Sequence, residues 1–270
     1  ISRASGESWS VKVRRRIINS TYIEGNFPAS SPPPFKVDQG VWCVPVGEIA
    51  TLDKIPERYV IIGAGKTALD AIVWLLEKGV QPERIRWIKP RETWWLNRRF
   101  QQPHALFPDF LLGMVLQLEA MANANSTNDL FELLEAQEIF LRVDTQIEPT
   151  MFRGAVISES ELELLRQIKD VIRKGHVQRI KRDEIVLKGG QVPTGERTVH
   201  VHCAAHGLGE VQPRAIFDGD MLTTQPFQWG FASYQAATLA VVEATVDNDE
   251  QRNQLCQPMA YWDVREDYLR

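Results

Sequence analysis

Residues 59–71 read YVIIGAGKTALDA, from Tyr59 to Ala71, and two kinds of phosphate loop compete for them. An ATP-type loop needs GxxxxGK[ST]: its first glycine opens a wide loop around the β-phosphate, while Lys and Ser/Thr serve phosphate and magnesium. With Gly65, Lys66 and Thr67 closing that pattern, the first glycine would fall at residue 60, where the chain has Val60 inside an apolar strand. Such a loop is too short to wrap a triphosphate. A dinucleotide-type turn needs only a strand, GxGxxG or GxGxxA, and a helix. Gly63 then makes the tight turn, Gly65 lets a pyrophosphate approach the backbone, and Ala68 permits close packing of helix on strand. The helix beginning near Lys66 points its free amides and positive end at the pyrophosphate, so Lys66 and Thr67 join the candidate site.

The surroundings support the second reading. YVII is a buried strand, KTALDAIVWLLEK (66–78) places Leu69, Ile72, Val73 and Leu76 on one helical face, Gly79 ends the helix, and RIRWIK (84–89) is a second strand. This is a βαβ unit of Rossmann type. An NAD enzyme usually places Asp or Glu at the tip of the second strand, whereas an NADP enzyme places basic residues there for the 2′-phosphate. The tip here is IKPRE, with Lys89 and Arg91 ahead of Glu92. NADP is favoured over NAD, the bland alternative being solvated loop charges.

The 270 residues are 44% hydrophobic and 24% charged, ordinary for a globular chain with one large or two modest cores. A net charge of −4 argues against a nucleic-acid partner, since phosphate-tracking surfaces need a basic excess. Cys43, Cys203 and Cys256 are few and far apart, with no CxxC, which gives no disulfide framework and no redox dithiol. The N-terminal ISRASGESWSVKVRRR lacks the apolar middle of a secretory signal, so a cytoplasmic setting without a membrane partner is expected. Trp9 to Tyr22 reads as a strand, the prolines 32–34 as an extended linker, and VWCVPV (41–46) as an edge strand. Helices are expected at 108–124, at 129–140 behind Ser126, at 160–168 and at 233–244, and strands at HVQRI, DEIVL and TVHVHCAA.

The stretch RAIFDGD (214–220) is followed at a distance by the alanine-rich helix FASYQAATLAVVEA. Together with GAGKTA, this order resembles the two-dinucleotide flavoprotein oxidoreductases, which include the flavin-containing monooxygenases and the pyridine-nucleotide disulfide reductases. The resemblance implies an α/β fold in which a Rossmann-type NAD(P)-binding domain (57–197, with a helical insertion at about 100–145) is inserted into a partial FAD-binding-type domain (1–56 and 198–270). It implies NADP or NAD at the first turn, and a late strand ending in Gly219 and Asp220 whose carboxylate bonds the flavin ribityl chain. These proteins begin with a first GxGxxG for the flavin, and nothing before residue 58 resembles one. FAD is therefore expected only if a missing N-terminal segment supplies that turn. A missing N-terminal half or a homo-oligomer is the expected macromolecular partner, and the substrate is not readable.

HVHCAAH (200–206) offers zinc-type ligands, but strand alternation sends His200 and His202 to one face and Cys203 to the other, so ordinary strand histidines and no metal are expected. RETWWLNRRF (91–100) has basic and aromatic residues interleaved as single-stranded nucleic-acid surfaces do. Its place after a nucleotide-binding strand favours a coenzyme wall, or plain packing of Trp94 and Trp95. The expected function is NADPH-dependent hydride transfer to flavin in a monooxygenase-like or reductase reaction. The alternative is a non-catalytic NAD(P)-binding module or sensor.

Overall fold

A computed structural model describes all residues except 3, 24, 206, 208–210, 229–231 and 270. In chain order the first elements are β1 (Ile17–Asn19), β2 (Lys36–Val37), β3 (Cys43–Pro45), β4 (Arg58–Ile62), α1 (Lys66–Glu77), β5 (Ile85–Ile88) and β6 (Thr93–Asn97). Then come α2 (Phe107–Asn123), α3 (Thr127–Ala136), β7 (Phe140–Leu141), β8 (Met151–Ile157), α4 (Glu159–Leu165) and β9 (Asp170–Ile172). The last are β10 (Val177–Ile180), β11 (Glu184–Leu187), β12 (Gly190–Pro193), β13 (Thr198–His202), β14 (Phe217–Asp218), β15 (Met221–Thr223), α5 (Ala232–Thr245) and α6 (Asp249–Leu255). The protein is mixed α/β, and its chain divides into two compact units: Ile1–Gly25 with Gly207–Tyr261, and Asn26–His206 with Trp262–Arg270. The breaks fall near residues 25 and 206, so β3 and β13 belong to the same unit and the same sheet as β4.

The larger unit is built on a five-stranded sheet in the order β3-β13-β4-β5-β9, every pairing parallel. Alternate residues of its strands face opposite ways. Tyr59, Ile61, Ile85, Trp87, Val199 and Val201 meet Leu69, Ile72 and Leu75 of α1 and Leu162 and Leu165 of α4. Val60, Ile62 and Ile88 meet Ile180, Ile185, Leu187 and Val192 of the antiparallel β10-β11-β12 meander. Burial on both faces is why YVII is an unbroken apolar run.

A second core lies under α2 and α3, where Trp94, Phe131, Phe140, Phe152 and Tyr268 pack with ring centroids 5.1–6.3 Å apart. The sheet β7-β6-β8 supplies one wall. Strand β6 serves both cores, with Trp95 in the first and Trp94 and Leu96 in the second. Within the basic-aromatic segment the strand Thr93–Asn97 is fully buried, so Trp94 and Trp95 are packing residues and offer no stacking face, while Arg91 and Arg98 are half-buried and Arg99 is exposed. Helix α3 is capped as expected, Ser126 Oγ accepting from the Asp129 amide (3.1 Å). Helix α4 starts slightly earlier than expected, because Ser158 and Glu161 form a reciprocal capping box. The stretch His104–Asn123 is long and apolar enough to cross a membrane by length and composition alone, though only 17% of its most apolar window is buried in the unit.

In the smaller unit β1 lies parallel to β15, and β15 pairs antiparallel with β14. Only Ile17–Asn19 of the expected strand at 9–22 is paired. Ile216, Phe217, Leu222, Leu239, Val242 and Cys256 form its core. Arg16 bonds Glu243 (2.9 Å) and Asp249 (2.5 Å) there.

Candidate functional site

The turn after β4 is fixed from several sides. The Gly63 amide donates to the Ile88 carbonyl (3.0 Å), the Gly63 carbonyl accepts from Trp87 Nε1 (2.7 Å), and Thr93 Oγ1 donates to the Ala64 carbonyl (3.3 Å). Gly63 has φ +150°, and a Cβ there would lie 3.1 Å from both Cβ and the carbonyl oxygen of Cys203. That residue follows the neighbouring strand β13 and is itself tied by its amide to the Ile62 carbonyl (2.8 Å). Glycine is therefore required at 63 by conformation and by space.

Gly65 is different. It is the N-cap of α1 in an extended conformation (φ −90°, ψ 178°) with no side-chain cap, and a Cβ built on it would meet nothing within 4 Å. An uncapped end of a 12-residue helix therefore faces open space at the carboxyl edge of a parallel sheet. Free amides and the positive end of the helix dipole make such an end an anion site, and open α/β sheets bind ligands at this edge. Ala68, fully buried, brings the helix close to the strand as its spacing predicts.

The predicted side chains behave less uniformly. Thr67 is half-buried in the first turn of α1. The Lys66 ammonium turns to Asp70 and to Glu161 Oε1 (2.9 Å), so the turn offers backbone donors and not this charge. Burial opposes ionisation of Glu161, but the Lys66 ammonium and the Ser158 amide outweigh it and hold the carboxyl at about 2. Lys89 is corrected more strongly: it is 1% exposed, its ammonium lies 2.5 Å from Glu92 and 4.2 Å from the Trp87 ring centroid, and burial lowers its pKa. It cannot reach a phosphate in solvent from there. Arg91 remains about a third exposed and binds Asp263 through both terminal nitrogens (2.8 Å each). Arg153 joins the same carboxylate (2.6 Å). The Arg91 and Arg153 hydrogen bonds hold Asp263 well below the usual carboxylate range despite partial burial. Asp263 and Arg153 carry no sequence signal at Arg91, from which Asp263 is 172 residues away.

Gly219 and Asp220 form no strand end. They are the two-residue turn of the β14–β15 hairpin, with Gly219 at φ +53° in the first central position, as a type II′ turn requires. The Gly219 amide donates to Asp249 (3.1 Å) and the Asp220 carbonyl accepts from the Ile17 amide (2.7 Å), while the Asp220 side chain is exposed. Among the described residues of this unit, no uncapped glycine turn at a helix start accompanies them.

His200 is buried with both ring nitrogens engaged, Nε2 with Thr194 Oγ1 (2.8 Å) and Nδ1 with the Trp42 carbonyl (3.1 Å), and burial lowers its pKa. His206 lies outside the described residues. Burial pushes the Cys203 thiol up to about 12 and Cys43 to about 11, so neither is a thiolate near neutral pH. Two surface cavities of about 670 Å³ are lined by residues such as Asp38, Arg179 and Arg182, and by Trp42, Leu52 and Arg197; neither includes the glycine turn.

The fold is mixed α/β, with a glycine turn at the uncapped start of α1 on the carboxyl edge of a parallel sheet. No protein-family model matches the chain. It is 39% identical over 267 residues to uncharacterized proteins of Mycobacterium tuberculosis and Mycobacterium bovis, across 98% of this chain and 50% of each relative. The chain thus spans about half the length of the curated relatives it matches.

Proposed function

We propose that the larger unit is a Rossmann-type NAD(P)-binding domain, and that the protein belongs to a flavin-linked oxidoreductase of the two-dinucleotide class. The observation that carries this reading is the pairing of Gly63, locked against Cys203, with Gly65, open and uncapped at the start of α1. The first glycine sets the turn and the second leaves room for a pyrophosphate on the helix amides. The parallel order β13-β4-β5-β9, with α1 crossing from β4 to β5, is the arrangement such a domain uses. The bound coenzyme supplies the hydride, while the chain binds and orients it.

Arg91 is the reader of a 2′-phosphate on this proposal, with Asp263 holding its place as an internal anion. Arg91→Ala should weaken NADPH by roughly 1.5–3 kcal/mol, the range for a hydrogen bond to a charged group, and leave NADH nearly unchanged. Asp263→Asn should shift affinity the other way, towards NADPH. Titrating both coenzymes into the three proteins checks this, and equal changes for NADH and NADPH would remove Arg91 from that role. The flavin is a poorer fit to the residues in hand. Gly219 and Asp220 form a hairpin turn, and among the described residues of their unit no pyrophosphate cradle accompanies them. The relatives' additional length has room for the second glycine turn a flavin needs.

A further inference from the structure

Residues 89–92 join β5 to β6, and they carry Arg91 between two charges that turn inward. The side chains of Lys89 and Glu92 are 0% and 2% exposed and meet at 2.5 Å, three residues apart, whereas the Arg91 side chain is 32% exposed. Among the described residues neither Lys89 Nζ nor Glu92 Oε2 has another hydrogen-bond partner. Glu92 Oε1 accepts from Arg173 (2.8 Å), which also holds Asp144 (2.8 Å). Backbone bonds tie the two ends of the loop. The Lys89 amide donates to the Ile172 carbonyl (3.0 Å), and the Glu92 carbonyl accepts from the Thr150 and Met151 amides (3.2 and 3.1 Å). Just outside those ends, Trp87 and Thr93 donate to the Gly63 and Ala64 carbonyls of the glycine turn. The contact between Lys89 and Glu92 therefore closes, from the inside, the loop that joins this turn to Arg91. A buried pair of this kind adds little stability, because taking two charges out of water costs about as much as their attraction returns. What it fixes is geometry.

We infer that Lys89 and Glu92 are positioning residues: their buried pair sets the 89–92 loop so that Arg91 stands at a fixed place beside the glycine turn, and it thereby supports the preference for a coenzyme with a 2′-phosphate. This rests on the reading of Arg91 as the residue that meets that phosphate. Lys89 and Glu92 touch no ligand themselves, and an ammonium and a carboxylate sealed together add no net charge to the site. Their effect reaches the phosphate through Arg91.

The test is calorimetric titration of NADPH and NADH into the full chain as wild type, as Arg91→Ala, as Lys89→Met/Glu92→Leu, and as the triple variant that combines them. Replacing both partners by apolar side chains of similar size leaves no unpaired buried charge, and Arg173 keeps Asp144. The double variant should lose at least about fivefold of the NADPH preference with NADH binding unchanged, and adding Arg91→Ala to it should cost little more, as for residues that act as a unit. A double variant that keeps the wild-type preference, that loses both coenzymes equally, or in which Arg91→Ala still has its full effect overturns the inference and leaves Arg91 its role. Equal losses of NADPH and NADH in Arg91→Ala alone, or a wild type that binds neither, strike the reading of Arg91, and the inference falls with it. Should the double variant not fold, Lys89→Met/Glu92→Gln keeps an amide oxygen for Arg173 and faces the same outcomes; failure of both to fold would make the pair structural and overturns the inference too.

Discussion

Gly63 and Gly65 sit two residues apart and are glycine for different reasons. At 63 the backbone itself demands it, since φ is +150° and Cys203 closes the space; at 65 neither backbone nor neighbours object to a side chain. A residue the fold does not need as glycine is the one to ask about a ligand. His200 makes the contrasting case of a titratable group used for structure. Its pKa is lowered by burial, so the folded protein holds it neutral while the unfolded chain takes up a proton at about 6.5. Its stabilisation is whole above that pH and drains as pH falls below it. The melting temperature should therefore drop between pH 7 and 5, and His200→Gln should flatten that slope. Carboxylates such as Glu161, held at about 2, lose their contribution only below about pH 4.5. Parallel curves for the two proteins in the upper window would show that another group is responsible.

Among elements, α1 against β4 is the contact that positions the turn. Ala68 is fully buried at that contact, and Ala68→Leu should overpack it by about 1–3 kcal/mol, read as a lower denaturant midpoint with an unchanged slope. A neutral substitution would mean that helix and strand have slack there. This unit was legible in the sequence because its signals are local: an apolar run, two glycines and a 3.6-residue period within 20 residues. The cap of α3 was legible for the same reason, whereas the sequence reading passes over the Ser158–Glu161 box that starts α4 in favour of a start at 160. Strand β6 was not legible either, since TWWLN is buried on both faces and shows no alternation between its basic flanks. Strand β9 is three half-buried residues, too short for any period. The hairpin at Gly219 is not legible locally, because Gly-Asp matches a strand end by resemblance while its type II′ geometry depends on the strand that returns. Lys89 was read by its place at a strand tip, where charge suggests solvent, and only the fold reveals Glu92 and Trp87 closing over it.

At the scale of the whole molecule, each unit has its own core, and the glycine turn, Arg91, Arg153 and Asp263 all belong to the larger one. Coenzyme binding is thus a property this chain should display by itself, whatever the other half of its longer relatives contributes. The most direct measurement is calorimetric titration of NADPH and NADH into wild type and Gly65→Ala. The methyl group enters only the open space before α1, so the variant should melt within about 1 kcal/mol of wild type, the scale of an N-cap change. Wild type should bind, with NADPH ahead of NADH, and Gly65→Ala should lose at least about tenfold in affinity for both, roughly 1.4 kcal/mol. A wild type that binds neither coenzyme, or a Gly65→Ala variant that binds both as well as wild type, would contradict the assignment of this turn to a pyrophosphate.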